Sequence, residues 1–310
     1  MLTVLHSSLT LSPIVTSNES SSLSGSFPET PAPLLTSPGK PDEIPDPDNP
    51  PWGLVGALAT WGVSVALLII VPVLTLIPYV LYRVAVYGPG EAFRAEQQII
   101  VLSIVGVLPA HFLTLALAWL IVTNRGRRPF WKSLGWSWPR NFGPWKAILL
   151  AVLLLGVGLL ITTMVRGSET QLDQLIKSSP QARWVVAFLA VATAPLVEEV
   201  IYRGVLFAAF QKILGTRWAV VIISGMFLAV HILQYFNNLG VLSVIMILSV
   251  ALTLVRAYTG SLLPCFVIHL VFNGIQSLVL LLQPWLERYL PPTRQIEAVQ
   301  LVENLVRHLG

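Results

Sequence analysis

From Trp52 onward the chain is built of seven long apolar segments, at approximately residues 53–82, 98–123, 146–165, 184–213, 217–235, 239–257 and 262–284. At about 1.5 Å of rise per residue, each is long enough to span the roughly 30 Å of a bilayer's hydrocarbon core as a helix. The fourth is longer than a crossing needs, so it is expected to bend, protrude or split. Only 11% of the 310 residues are charged and 55% are hydrophobic, against roughly 25% charged in soluble domains. The fold class this implies is all-α, a polytopic transmembrane bundle of about seven to eight helices. A soluble enzyme is excluded. Nucleic-acid binding is excluded with it, because the bases behind the net charge of +4 lie between apolar runs, where topology accounts for them.

Residues 1–51 differ from the rest. They hold 10 Pro and 10 Ser, and six acids (Glu19, Glu29, Asp42, Glu43, Asp46, Asp48) face one base, Lys40. Such a composition cannot bury a core, and a disordered acidic tail is expected. It has neither the basic start of a secretory signal nor the Arg-rich, acid-poor character of an organellar transit peptide, which favours a bacterial plasma membrane as the location. The loop between the second and third segments carries Arg125, Arg127, Arg128, Lys132, Arg140 and Lys146 without an acid. By the positive-inside rule this loop is cytoplasmic, and the N-terminus is inside with it. After Pro291 and Pro292, the apolar residues Ile296, Val299, Val302, Leu305 and Val306 recur at helical spacing, so residues 286–310 are expected to form an amphipathic surface helix. The body between divides into N-terminal spans with the basic loop, 52–182, and a C-terminal core, 183–285. The single cysteine, Cys265, excludes an internal disulfide and any cysteine-based zinc cluster.

Three polar constellations interrupt the apolar segments of that core, each an i, i+4 pair that shares one helix face. The first is Glu198-Glu199-Val200-Ile201-Tyr202-Arg203. A charge at the bilayer centre costs roughly 2.5–3.5 kcal/mol on insertion scales, so these three must be paired or hydrated. Glu199 precedes Arg203 by four residues, the favourable orientation for a helical ion pair, and Glu198 is then the free carboxylate. The second is Phe227-Leu228-Ala229-Val230-His231, and the third is His269-Leu270-Val271-Phe272-Asn273. Imidazole and carboxylate hold or move protons near neutral pH, and Asn273 adds a neutral donor beside His269. Such a set can activate water and hold an oxyanion.

The inventory also removes reaction classes. Intramembrane aspartyl proteolysis needs two membrane aspartates, yet after Asp48 only Asp173 remains, in an expected loop. Ser224-Gly225 follows Ile222-Ile223 and so lacks the Gly-x-Ser-Gly turn of rhomboid-like serine proteases. No histidine opens a His-Glu-x-x-His helix, which excludes a thermolysin-type zinc site. A glutamate and two histidines are left, able either to ligate a metal with one position open or to act directly as base and polarising partners.

Glu-Glu-x-x-x-Arg, then Phe-x-x-x-His, then His-x-x-x-Asn occur in the order and approximate separations of the CPBP family, the CAAX-protease and bacteriocin-processing intramembrane proteases also called Abi. The resemblance, to type II CAAX prenyl endopeptidases in particular, covers roughly residues 185–285. Thr259-Gly260-Ser261-Leu262-Leu263-Pro264 also resembles the family's approach to its third motif. The resemblance implies a glutamate-dependent endopeptidase. In it Glu198 is the general base for the attacking water, assisted by His231, and His269 and Asn273 stabilise the oxyanion. Glu199 and Arg203 would brace the site, a role that agrees with their spacing. No organic cofactor is implied; a divalent metal such as zinc, held by Glu198, His231 and His269, is the alternative use of the same side chains. The implied partners are the bilayer and a peptide or protein substrate reached from the membrane, lipidated in the prenylated CAAX case. A membrane scaffold or bacteriocin self-immunity protein without catalysis is the competing reading. A proton-coupled transporter, which would also place Glu and His at midplane, ranks below both because no inverted repeat is visible.

Overall fold

A hydrocarbon core holds no water to satisfy a backbone N–H or C=O, so an apolar run crosses it with its hydrogen bonds closed inside one helix. The computed structural model describes residues 46–92, 96–165, 167–168, 171–289 and 300, and among them it has helices and no strand. In chain order these are α1 (Leu54–Tyr87), α2 (Pro89–Ala92), α3 (Glu96–Val105), α4 (Val107–Val122), α5 (Phe130–Ser133), α6 (Pro144–Met164), α7 (Gln171–Ser178), α8 (Pro180–Ala192) and α9 (Ala194–Glu198). A π-helical turn, Glu199–Leu206, comes next, and then α10 (Phe207–Tyr235), α11 (Leu239–Thr259) and α12 (Leu263–Tyr289).

Six described runs are long and apolar enough to cross a membrane. The protein is a multi-pass helical bundle. One run, Pro180–Tyr235, is 56 residues long, about 84 Å at helical rise and far beyond one crossing. Gly215, at φ 78° and ψ 165°, breaks it within α10. Only a residue without a Cβ takes that conformation readily. The run therefore contains both the fourth and the fifth apolar segments of the sequence. The long fourth segment does bend and split. Thr193 (φ −124°, ψ −42°) separates α8 from α9, where Pro195 sits in the first turn, and the π-helical turn comes after.

Hydrogen bonds between the loops agree with seven alternating crossings. Such a path puts residues 48, 135, 215 and 260 at one end of the bundle. There Arg256 Nη1 pairs with Asp48 Oδ1 at 2.8 Å, Lys212 Nζ donates to Pro50 O at 3.0 Å and Leu262 N to Gly135 O at 2.9 Å. The opposite end joins Ser168 Oγ to Asn237 O at 3.2 Å and Asn238 Nδ2 to Ser168 O at 3.2 Å.

Burial is inverted relative to a soluble protein. Ile69, Leu74, Leu149, Leu153 and Leu254 are exposed on the outside of the bundle, while Glu199, Arg203, Ser249, Thr253 and Arg256 are fully buried. One apolar cluster packs α1, α4, the π-helical turn and α10; a second packs α6, α11 and α12. The polar side chains lie where α11 and α12 meet the first cluster. The boundary between 52–182 and 183–285 is crossed by packing, since α6 lies against both α11 and α12.

Residues 1–45, most of the acidic tail, and the amphipathic stretch after Tyr289, apart from residue 300, lie outside the described residues. The root of the tail is seated on the bundle. Pro50 and Trp52 are buried, and Arg256, whose side chain is 1% exposed, takes both the Asp48 carboxylate and the Pro47 carbonyl. Asp48→Asn leaves that buried guanidinium with a neutral partner. Breaking a buried pair costs about 3–5 kcal/mol, and because Asp48 is 42% exposed the expected loss is about 1–2 kcal/mol. Thermal unfolding of the purified protein should show a Tm lowered by a few degrees.

Candidate active site

The ion pair at i, i+4 in the first motif is formed. Arg203 Nη1 lies 3.0 Å from Glu199 Oε1, with both side chains at zero exposure. The pair is made inside a π-helical turn rather than an α-helix. Such turns are rare and occur mostly as single-turn insertions, frequently at functional sites. Arg203 uses its whole fork. Nε donates to Thr253 Oγ1 at 3.3 Å, and Nη2 donates to Ser249 O at 3.1 Å and Ser249 Oγ at 2.9 Å. Its Cζ also stands 4.7 Å from the Phe227 ring centroid. A buried guanidinium needs this many partners to offset its desolvation.

The third motif enters the same cluster. His269 Nδ1 lies 2.8 Å from Glu199 Oε1, so one carboxylate oxygen takes both the guanidinium and the imidazole. A carboxylate oxygen bonded to a guanidinium accepts, so His269 Nδ1 is the donor and its Nε2 is the open nitrogen. That nitrogen faces Glu198 Oε2 at 3.6 Å. Glu198 is the one acid of the cluster with solvent access, its side chain 24% exposed. Asn273 lies one turn beyond His269 and donates through Nδ2 to Ala190 O at 3.0 Å, tying α12 to α8.

His231 is buried, and its Nδ1 lies 2.7 Å from Phe227 O. A carbonyl only accepts, so Nδ1 carries the hydrogen and Nε2 is again the open nitrogen. The ring rests on Phe227 with centroids 4.7 Å apart, and Phe227 also meets Tyr202 at 5.0 Å and His269 at 6.3 Å, both edge to face. Phe227 is thus the hub that brings the second motif to the other two. Among the described residues no hydrogen bond or ion pair joins His231 to Glu198.

The structure therefore gathers Glu199, Arg203 and His269 into one bonded chain, brings Glu198 to 3.6 Å from His269 Nε2, attaches His231 through an aromatic ring and sets Asn273 beside His269. Sequence reasoning did not single out Ser249, Thr253 or Tyr202. Small hydroxyls in an apolar helix carry no distinguishing pattern, since most bond only their own helix, as Thr259 does to Val255 O.

A three-ligand zinc site from Glu198, His231 and His269 does not fit these positions. Glu198 and His269 present two donors to one space, but no three His, Cys, Asp or Glu side chains among the described residues are grouped to hold an ion. Glu199 Oε2 is buried without a hydrogen-bond partner, which marks the floor of the site as polar and incompletely satisfied.

No curated protein and no solved structure matches the chain. A family model described as type II CAAX prenyl endopeptidase Rce1-like matches residues 180–275, the stretch from the start of α8 to α12 that contains all three motifs. The family is one of CAAX-type membrane proteases, in agreement with the resemblance seen in the motifs. Residues 180–275 of this chain are thus similar to the Rce1-like type II CAAX prenyl endopeptidases.

Proposed function

We propose that this protein is an intramembrane endopeptidase in which Glu198 activates the attacking water. One observation carries the reading: a buried, hydrogen-bonded Arg203–Glu199–His269 frame turns its open imidazole nitrogen toward the part-exposed carboxylate of the cluster. Glu198 takes a proton from water as the oxygen adds to the scissile carbonyl, and passes it on to His269 Nε2, 3.6 Å away at rest. The second amide hydrogen of Asn273 and the protonated His269 Nε2 are the donors for the tetrahedral oxyanion. Collapse returns the proton to the leaving amine. His231, fixed by its bond to Phe227 O, offers a second open imidazole nitrogen to the attacking water.

Substrates are membrane-associated peptides or proteins, of the prenylated CAAX type or the bacteriocin type, and the host membrane is a bacterial plasma membrane. Comparison of protein termini in host membranes carrying either the native protein or Glu198→Ala at matched expression tests this. Termini that vanish with the variant establish proteolysis and name the substrate. Identical termini from folded protein in both strains refute it and favour a scaffold. The donor arrangement predicts that purified, active protein cleaves without stoichiometric metal. Elemental analysis beside an activity assay checks this, and activity that rises and falls with a bound divalent ion would contradict it.

A further inference from the structure

The π-helical turn that carries the first motif is held from outside by two tryptophans of the N-terminal region. Trp52 is buried, and its Nε1 donates to Val205 O, the carbonyl one residue before the turn ends, at 3.0 Å. Trp61, on α1, donates through Nε1 to the Tyr202 hydroxyl in the middle of the same turn at 3.1 Å. Tyr202 in turn stands edge to face with Phe227, the hub of the site.

The segment that delivers Trp52 is itself tied down at three points. Arg256 holds Asp48 Oδ1 and Pro47 O, and Lys212 holds Pro50 O. Arg256 lies on α11 three residues after Thr253 and seven after Ser249, the two residues that fix Arg203, so all three share one helix face. Residues 47–61 therefore grip the catalytic turn directly and the helix behind it indirectly. A π-helical turn is a departure from the preferred helix and persists only where its surroundings determine it. None of these gripping residues falls within the 180–275 stretch.

We propose that Trp52 and Trp61 are positioning residues, a pair of indole clamps that keep Glu199–Leu206 in its π register and so set the separation between Glu198 and His269. The root of the acidic tail is on this account part of the active machinery. The kinetic consequence rests on the peptidase reading; the hold on the turn does not.

Trp52→Phe and Trp61→Phe keep an aromatic ring in place and remove only the N–H. Each is compared with the native full-length protein in nanodiscs by amide hydrogen exchange and by cleavage of the substrate that the termini comparison identifies. Loss of one such bond is expected to speed exchange over residues 199–206 and to lower kcat by about tenfold at unchanged KM. Exchange in α6 and α11 should stay as it is. Unchanged exchange over the turn, or full kcat in an active enzyme, overturns the proposal. Uniformly faster exchange across every span also overturns it, because that is what a merely structural role gives. If Trp52→Phe does not fold, Trp61→Phe decides. Glu198→Gln run in parallel separates the two ideas: should it keep full cleavage, the assignment of Glu198 as the base falls and hydrogen exchange alone judges the clamp.

Discussion

Glu198→Gln is expected to lower peptide-bond cleavage by roughly a thousandfold while leaving the fold intact, within the range that loss of a general base produces. Glu198 is the part-exposed member of the cluster, and His269 Nε2 stands 3.6 Å away, too far for a strong bond in the resting site. The amide keeps the shape and loses the proton affinity. His269 keeps its bond to Glu199, and Arg203 keeps all of its own. Single-turnover cleavage and thermal unfolding on the same preparation check both halves. A variant that folds and cleaves at the native rate would remove Glu198 from the chemistry, and one that fails to fold would show that it braces the frame instead.

The seven apolar segments were legible because membrane crossing imposes a length and a composition that few other constraints mimic, and each has its helical counterpart from Leu54 to Tyr289. The Glu199–Arg203 pair was legible because three charges inside an apolar run must find partners, and the i, i+4 rule names the first choice. The π-helical turn that carries the pair was not. No pattern distinguishes it from an α-helix, since the residue types of Glu199–Leu206 suit either and the choice is made by what grips the turn. The same holds for residues 46–52. Proline and acid content argue for a tail, and by composition the segment cannot bury a core of its own. The bundle supplies one, through the Arg256 charge, the Lys212 ammonium and the space that takes Trp52. The third motif shows the limit of reading a pair from its spacing. His269 and Asn273 do share a face, but His269 is fixed by a carboxylate on another helix and Asn273 by a carbonyl on α8. Contacts between helices decide what a shared face is used for.

Arg203→Ala should be the most destabilising single change in the site. The side chain is at zero exposure and meets five partners: the Glu199 carboxylate, Thr253 Oγ1, both oxygens of Ser249 and the Phe227 ring. Truncation strands Glu199 in a dry pocket with His269 as its remaining bonded partner, and removing one member of a buried pair costs about 3–5 kcal/mol. Against a typical total of about 5–15 kcal/mol, that is enough to lower the yield of folded protein. Arg203→Lys restores a charge but not the fork that reaches α11 in two places, so it should recover only part of the loss. The informative variant is the double change Glu199→Gln with Arg203→Met, which removes both charges at similar volume and is expected to regain most of the stability. Cleavage should not return with it, because a neutral amide no longer holds His269 as a carboxylate does. Thermal unfolding and cleavage measured on all three variants separate the two contributions. An Arg203→Ala protein with native yield and Tm would mean that the Arg203–Glu199 pair is not what keeps the buried carboxylate in place.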